Sequence, residues 1–333
     1  MLLLFYKVTA FVLLTVGIVS SQNYILNIRD NGKICTEWIK PVNGQFSVSY
    51  TPQQECTSAV GFEQANGQAR LCCQGMAVTT TPSNFPKECG KQHYQPFRQR
   101  IIGGLHAQAN SWPWQILLRG AGSMCGGALI DERHVLTAAH CIKTPVDEKN
   151  YKVYIGAHET NKPMYMEQEL AVSKIWIHEQ YSEKTVNNDL AIIRLTKPIT
   201  ISDKVNIICL PGHEAKTAND TVWVSGWGRT AHNGVTSTIL KQTYMETMGN
   251  KCLTYGADKF SVETHICAGK HGVGYTCQGD SGGPLMYEYE GRWYLNGIVS
   301  YGAQDCGVGT GLPAVFARVK YYLPWIRHIL KLS

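Results

Sequence analysis

The chain has 333 residues, 44 % hydrophobic and 17 % charged, which supplies a buried core and excludes a disordered polyelectrolyte. Its formal net charge of +6 is scattered rather than gathered in a basic run, so nucleic acid is not an expected partner. Twelve cysteines suit an oxidising compartment and six disulfides, and none of the eleven histidines lies in an H-E-x-x-H arrangement, so no metal or other cofactor is expected.

Residues 1–21 are an apolar run that ends in Val19, Ser20 and Ser21 and is interrupted by Lys7. The uninterrupted part is roughly 14 residues, short of the ~20 that cross a bilayer, so it reads as a signal peptide cut near Gln22 and the mature protein is expected outside the cell, off the membrane. Residues 22–78 hold Cys35, Cys56, Cys72 and Cys73 and form a small disulfide-rich module. Residues 79–100, opening Thr79-Thr80-Thr81-Pro82-Ser83, are a polar linker too poor in apolar residues to pack. Across 101–333, β-branched and aromatic runs at 152–156, 190–195, 222–226 and 295–300 alternate with Gly, Pro, Asn and Asp turns, which predicts an all-β barrel or sandwich. After Pro324, the spacing of Trp325, Ile326, Ile329 and Leu330 predicts a short terminal helix.

Gly279-Asp280-Ser281-Gly282-Gly283 places a serine on a turn whose glycines leave backbone N–H groups free for a substrate oxygen. The same G-x-S-x-G pattern marks α/β-hydrolases, but there a helix follows the serine and two partners come later in the chain. Here Pro284 and a strand-like run follow, and only 52 residues remain. The partners lie upstream instead, in Leu136-Thr137-Ala138-Ala139-His140-Cys141 and Asn187-Asn188-Asp189-Leu190. With Ile101-Ile102-Gly103-Gly104, Ser225-Gly226-Trp227-Gly228 and Gly297-Ile298-Val299-Ser300-Tyr301-Gly302, these segments resemble the chymotrypsin/trypsin family of serine proteases from about Cys89 to the end.

The resemblance implies two packed six-stranded antiparallel β-barrels with a C-terminal helix, preceded by the small module. It brings His140 and Asp189 from the first barrel to Ser281 on the second. A serine hydroxyl is a poor nucleophile at neutral pH, so His140 takes its proton while Asp189 fixes the imidazole tautomer. The backbone N–H groups of Gly279 and Ser281 form the oxyanion hole. A cut between Arg100 and Ile101, made by an upstream protease of basic specificity, frees an amine that pairs with Asp280 and orders the nucleophile turn. The chain is thus expected to be a secreted endopeptidase precursor acting on proteins or peptides and held in check by protein inhibitors.

The resemblance also pairs Cys125 with Cys141, Cys252 with Cys267 and Cys277 with Cys306, and leaves Cys209 for Cys89, a bridge that keeps the cleaved amino-terminal piece attached. Spacing alone does not assign the other four. Cys35 to Gly44, with Leu71-Cys72-Cys73, resembles the clip domains of arthropod cascade proteases, with Phe46 where a further cysteine belongs. That pattern short of one bridge joins Cys35 to Cys72 and Cys56 to Cys73, and it implies a place in an extracellular proteolytic cascade.

At the floor of the primary pocket, where an Asp in this family selects Arg or Lys, stands Tyr275. A phenol supplies no such charge and fills space, so small or medium apolar residues are expected before the scissile bond, unless Asp305 reaches in from the side. Gly302 and Ala314 form the walls, Ser300 and Gly302 offer backbone groups to an extended substrate, and Tyr301 supplies an aromatic wall. Ala157 replaces the acid that starts the family's calcium loop, and Asn219-Asp220-Thr221 is an N-glycosylation signal. The competing reading is a catalytically weak or inactive homologue that binds or regulates.

Overall fold

Along β-strand Tyr151–Ile155 the first, third and fifth residues are buried and the second is exposed, the period of a half-covered strand. That strand belongs to a computed structural model describing residues 27–30, 33–35, 60–65, 68–73, 88–96, 105–161, 168–212, 215–216, 218–229, 234–269, 276–303 and 312–333. The chain divides into two units, Met1–Asn84 and Phe85–Ser333. In the first, strands β1 (Asn27–Asp30), β2 (Lys33–Cys35), β3 (Val60–Ala65) and β4 (Gln68–Cys73) form an antiparallel sheet in the order β1-β2-β4-β3. Its backbone register sets Cys35 opposite Cys72; the disulfides expected there, like the signal peptide, lie outside the described side chains and residues.

In the second unit a closed barrel is built from β6 (Gln115–Gly120), β7 (Ser123–Leu129), β8 (His134–Thr137), β9 (Tyr151–Ile155), β10 (Gln168–Ile177) and β11 (Ala191–Leu195), ordered β10-β11-β8-β7-β6-β9 and shut by the β9–β10 pairing. The other is built from β12 (Ala218–Gly226), β13 (Lys241–Met248), β14 (His265–Gly269), β15 (Pro284–Tyr289), β16 (Arg292–Tyr301) and β17 (Ala314–Arg318). Its order is β12-β15-β16-β17-β14-β13, closed by β12 against β13, with β5 (Leu105–His106) laid on β13. Each of the twelve barrel strands is thus paired on both sides, and all pairings among them are antiparallel, as the resemblance implies.

Val222, Val224, Met245, Leu285, Tyr287, Val299 and Phe316 fill the second barrel. The first barrel's core runs on through Trp112, Trp114, Trp227 and Trp293 into the terminal helix α1 (Val319–Leu332). Three of these indole N–H groups are hydrogen-bonded: Trp112 donates to Gln242 Oε1 at 2.8 Å, Trp114 to Met286 Sδ at 3.0 Å and Trp227 to the His158 carbonyl at 3.1 Å. Helix α1 starts before Pro324 rather than after it, because a proline early in a helix forfeits one backbone bond while Val319, Tyr322, Leu323, Ile326 and Ile329 still share a buried face.

Residues 88–96 differ from the expected unpacked linker. Cys89 is bridged to Cys209, Gly90 donates to the Ile207 carbonyl at 2.8 Å, and Trp293 donates to the Gly90 carbonyl at 2.9 Å. Gly90 has φ 71°, and a Cβ there would fall 2.5 Å from the Trp293 carbonyl oxygen. Main-chain bonding and one disulfide thus do what the segment's few apolar side chains cannot.

The two barrels meet backbone to backbone. Gly126 on β7 donates to the Ser281 carbonyl at 2.7 Å, and a Cβ on Gly126 would lie 2.9 Å from Gly283 Cα. A Cβ on Gly282, whose φ is 76°, would lie 2.2 Å from Thr137 Oγ1 and 2.7 Å from the Gly126 carbonyl oxygen. Gly282→Ala therefore combines a left-handed backbone with overpacking and should cost about 2–4 kcal/mol. Denaturant unfolding of the purified chain reads this, and an unchanged midpoint at unchanged slope would contradict the seam as described.

Candidate active site

Strand β8 ends at Thr137, and a 3-10 turn, Ala139–Cys141, carries His140 out of the barrel. Cys141 is bridged to Cys125 of β7, which anchors the turn from below. On the neighbouring loop Asn188 adopts φ 56°, and the next residue, Asp189, turns inward just before β11 with its side chain fully buried. A buried carboxylate needs donors, and Asp189 has three: His140 Nδ1 at 2.7 Å and the His140 backbone N–H at 2.9 Å, from the first barrel, and the Ser300 hydroxyl at 2.6 Å, from β16 of the second. The His140 side chain is 28 % exposed, so a reactant can reach the ring. Burial disfavours its charged form, but the charge and hydrogen bond of Asp189 outweigh that and hold its pKa above 6.5.

A second histidine–aspartate pair, His134 with both Asp131 oxygens at 2.9 and 2.8 Å, is a different object. Asp131 Oδ1 also accepts the N–H groups of Arg133 and His134, and the His134 ring is buried with its Nε2 enclosed, so the pair locks a turn. Cys125, His140 and Cys141 also lie within metal-ligand reach of one another, but both sulfurs are spent in a disulfide and offer no thiolate.

Ser281 sits on a turn held at four points besides the Gly126 bond. Asp280 donates to the Cys277 carbonyl, Gly283 to that of Asp280, Gly282 to that of Val299, and Val299 to that of Gly283, each at 2.9 Å. Gly279 has φ 100°. Among the described residues no acceptor takes the N–H of Gly279 or Ser281. Asp280 as a residue is half-buried, while its carboxyl group is enclosed. That group accepts from Gly228 N at 2.8 Å and Cys277 N at 3.0 Å and lies where a Cβ on Gly226 or Gly228 would stand. Burial pushes its pKa up to about 6 against those two bonds. Because the folded value exceeds the unfolded 3.8, seating this carboxyl grows more costly as pH rises from about 4 to about 6.

Tyr301 is half-buried and meets Tyr255 edge to face at 5.6 Å, and its hydroxyl donates to the Lys259 carbonyl. Gly302 is exposed, and a Cβ there would lie 3.7 Å from Ala314 Cα, so these two residues face each other. Cys252 is bridged to Cys267, and Cys277 is disulfide-bonded to a residue outside the described set. Asn219 is exposed at φ 57° in a bulge of β12. Arg100, Ile101, Tyr275, Asp305, Cys306 and Cys56 lie outside the described residues.

Sequence reasoning read Ser300 only as a backbone partner of substrate and missed its hydroxyl on Asp189. It also missed Gly126 and Thr137, although Gly126-Gly127 inside an otherwise apolar strand is a signal of close backbone approach.

The model of the family described as Trypsin matches residues 101–326. Chymotrypsin-C of Mus musculus is 36 % identical over 274 residues, 78 % of this chain and 99 % of that protein. Its Bos taurus counterpart is 35 % identical over the same length and shares. Chymotrypsin-like elastase family member 1 of Macaca fascicularis is 36 % identical over 246 residues, 71 % of this chain and 91 % of that one. With two closed barrels, a carboxylate-held histidine in one and a glycine-rich serine turn on the other, the chain belongs to the chymotrypsin/trypsin family of serine proteases.

Proposed function

We propose that this protein is a secreted serine endopeptidase, made as a precursor and activated by cleavage between Arg100 and Ile101. The observation that carries the reading is the buried Asp189 carboxylate, hydrogen-bonded at once to an accessible His140 and to Ser300 of the opposite barrel. With Nδ1–H held on Asp189, the His140 Nε2 lone pair is free to act as base.

In this reading Ser281 Oγ attacks the scissile carbonyl carbon as its proton passes to His140 Nε2. The carbonyl oxygen becomes an oxyanion on the N–H groups of Gly279 and Ser281, which are unengaged among the described residues. The imidazolium then protonates the leaving amine, the C–N bond breaks, and an acyl-enzyme remains. Water deacylates it by the same proton path in reverse. The new α-amine of Ile101 pairs with Asp280, whose enclosed carboxyl is held by two backbone N–H groups and has a raised pKa. The upstream activator has basic specificity, and the Cys89–Cys209 bridge keeps the amino-terminal piece on the active enzyme. Tyr275 directs the primary pocket toward small or medium apolar residues. Natural partners are protein substrates and protein inhibitors, and Asn219 carries an N-glycan.

A phosphonylating serine reagent should label the chain after cleavage at Arg100 and fail to label it before, and Ser281→Ala should remove labelling and turnover without lowering the unfolding midpoint. Absence of labelling in the cleaved, folded chain would leave the non-catalytic homologue instead.

The pH dependence follows from two groups. His140 must be neutral to accept a proton, so kcat/KM should rise with a midpoint above 6.5, and Asp189→Asn should move that midpoint down. The Ile101 amine must be charged, and pairing raises its pKa above its ordinary ~7.8, so activity falls reversibly as pH climbs through the raised value. A kcat/KM profile between pH 5 and 11 reads both limbs, and a flat alkaline side would contradict the Ile101–Asp280 pair.

A further inference from the structure

The proposed reaction divides its groups between two barrels, so the spacing of the barrels is a catalytic coordinate. Among the described residues no disulfide links a strand of one barrel to a strand of the other: Cys125–Cys141 lies within the first, Cys252–Cys267 within the second, and Cys89–Cys209 ties residues 88–96 to the connection between them. Apolar packing in the seam is strong but non-directional, and it tolerates small slips of one barrel past the other. Directional contacts therefore have to set the register.

One such contact stands directly behind the nucleophile turn. The Ser225 hydroxyl on β12 donates to Gln115 Oε1 on β6 at 2.7 Å, and the two residues are 2 % and 1 % exposed. The Gln115 amide nitrogen donates to the Ile116 carbonyl at 3.1 Å, and it also lies 3.1 Å from where a Cβ on Gly126 would stand. Gly126 is the residue whose N–H holds the Ser281 carbonyl. On the other side, the Ser225 carbonyl oxygen lies 3.2 Å from the Cβ position of Gly283, and the next residue, Gly226, lacks the Cβ whose place the Asp280 carboxyl takes. One buried hydrogen bond thus touches both supports of the turn: the strand that grips Ser281 from the first barrel and the segment that receives Asp280 in the second. An amide and a hydroxyl buried without partners are costly, so the bond is satisfied at one barrel spacing and lost at others.

We infer that Gln115 and Ser225 are a positioning pair that sets the distance between His140 and Ser281. The inference rests on the endopeptidase reading above. Neither side chain contacts substrate or transfers a proton, and their effect is exerted through Gly126, Gly283 and the turn between Asp280 and Gly283.

The test uses the full chain cleaved at Arg100, as wild type and as Ser225→Ala, Ser225→Thr, Gln115→Leu, the Ser225→Ala/Gln115→Leu double variant and Trp112→Phe. Trp112→Phe removes another buried hydrogen bond between the barrels, to Gln242, away from the nucleophile turn. Peptide hydrolysis gives kcat and KM, a phosphonylating reagent gives the reactivity of Ser281, and thermal unfolding gives Tm. Ser225→Ala should lower kcat and the labelling rate about 10- to 100-fold, the scale of a sub-ångström misplacement, with KM within about twofold. Ser225→Thr restores the hydroxyl and should recover most of the rate. The double variant should be no slower than the slower single variant, because each removes the same contact. Trp112→Phe should lower Tm and keep kcat. Wild-type kcat in Ser225→Ala, or a loss of kcat that tracks Tm equally in Ser225→Ala and Trp112→Phe, overturns the positioning role. Should Gln115→Leu not fold, the Ala and Thr variants at Ser225 still decide. A folded, cleaved wild type that does not label overturns the endopeptidase reading itself, a result separate from any difference among variants.

Discussion

A carboxylate removed from water has to be surrounded by donors, and no single barrel supplies all the donors of Asp189. His140 gives two of them from the turn after β8, and Ser300 gives the third from β16. The group is stable only when the barrels are closed on each other, and only then is the imidazole held in one orientation. Folding and the geometry of the candidate site are therefore the same event, written in three hydrogen bonds.

Asp280 is the counterpart that lacks this satisfaction. Among the described residues two backbone N–H groups hold it, the glycines at 226 and 228 leave it room, and burial raises its pKa against those two bonds. The contrast is what the proposed activation uses: folding completes one carboxylate, and in that reading the amine freed by a cut at Arg100 completes the other. Because Asp280 adjoins Ser281, completing the second would bear directly on the turn that carries the proposed nucleophile.

The parts legible in the sequence are those whose chemistry is local. The Thr137-Ala138-Ala139-His140-Cys141 and Gly279-Asp280-Ser281-Gly282-Gly283 segments announce themselves through short spacing, and the strand runs near 152–156 and 295–300 through β-branched content. Illegible were contacts between residues far apart in sequence. The Ser300 hydroxyl on Asp189, the fit of Gly282 against Thr137 and the Ser225–Gln115 bond each join segments that no spacing rule relates. Residues 88–96 misled for a related reason, since their apolar content is low and their attachment is through main-chain groups and a disulfide. Helix α1 was legible in its apolar face but not in its start, because tertiary packing of Val319 and Tyr322 overrides the proline.

All of this turns on the protonation of one ring. Nitrogen-15 NMR of the chain cleaved at Arg100, labelled at histidine and assigned through His140→Ala, reads which nitrogen of His140 carries the proton when the imidazole is neutral. The account predicts a proton on Nδ1, on the Asp189 side, and a titrating Nε2. A neutral tautomer with its proton on Nε2 would contradict it, since that nitrogen could then accept nothing from Ser281.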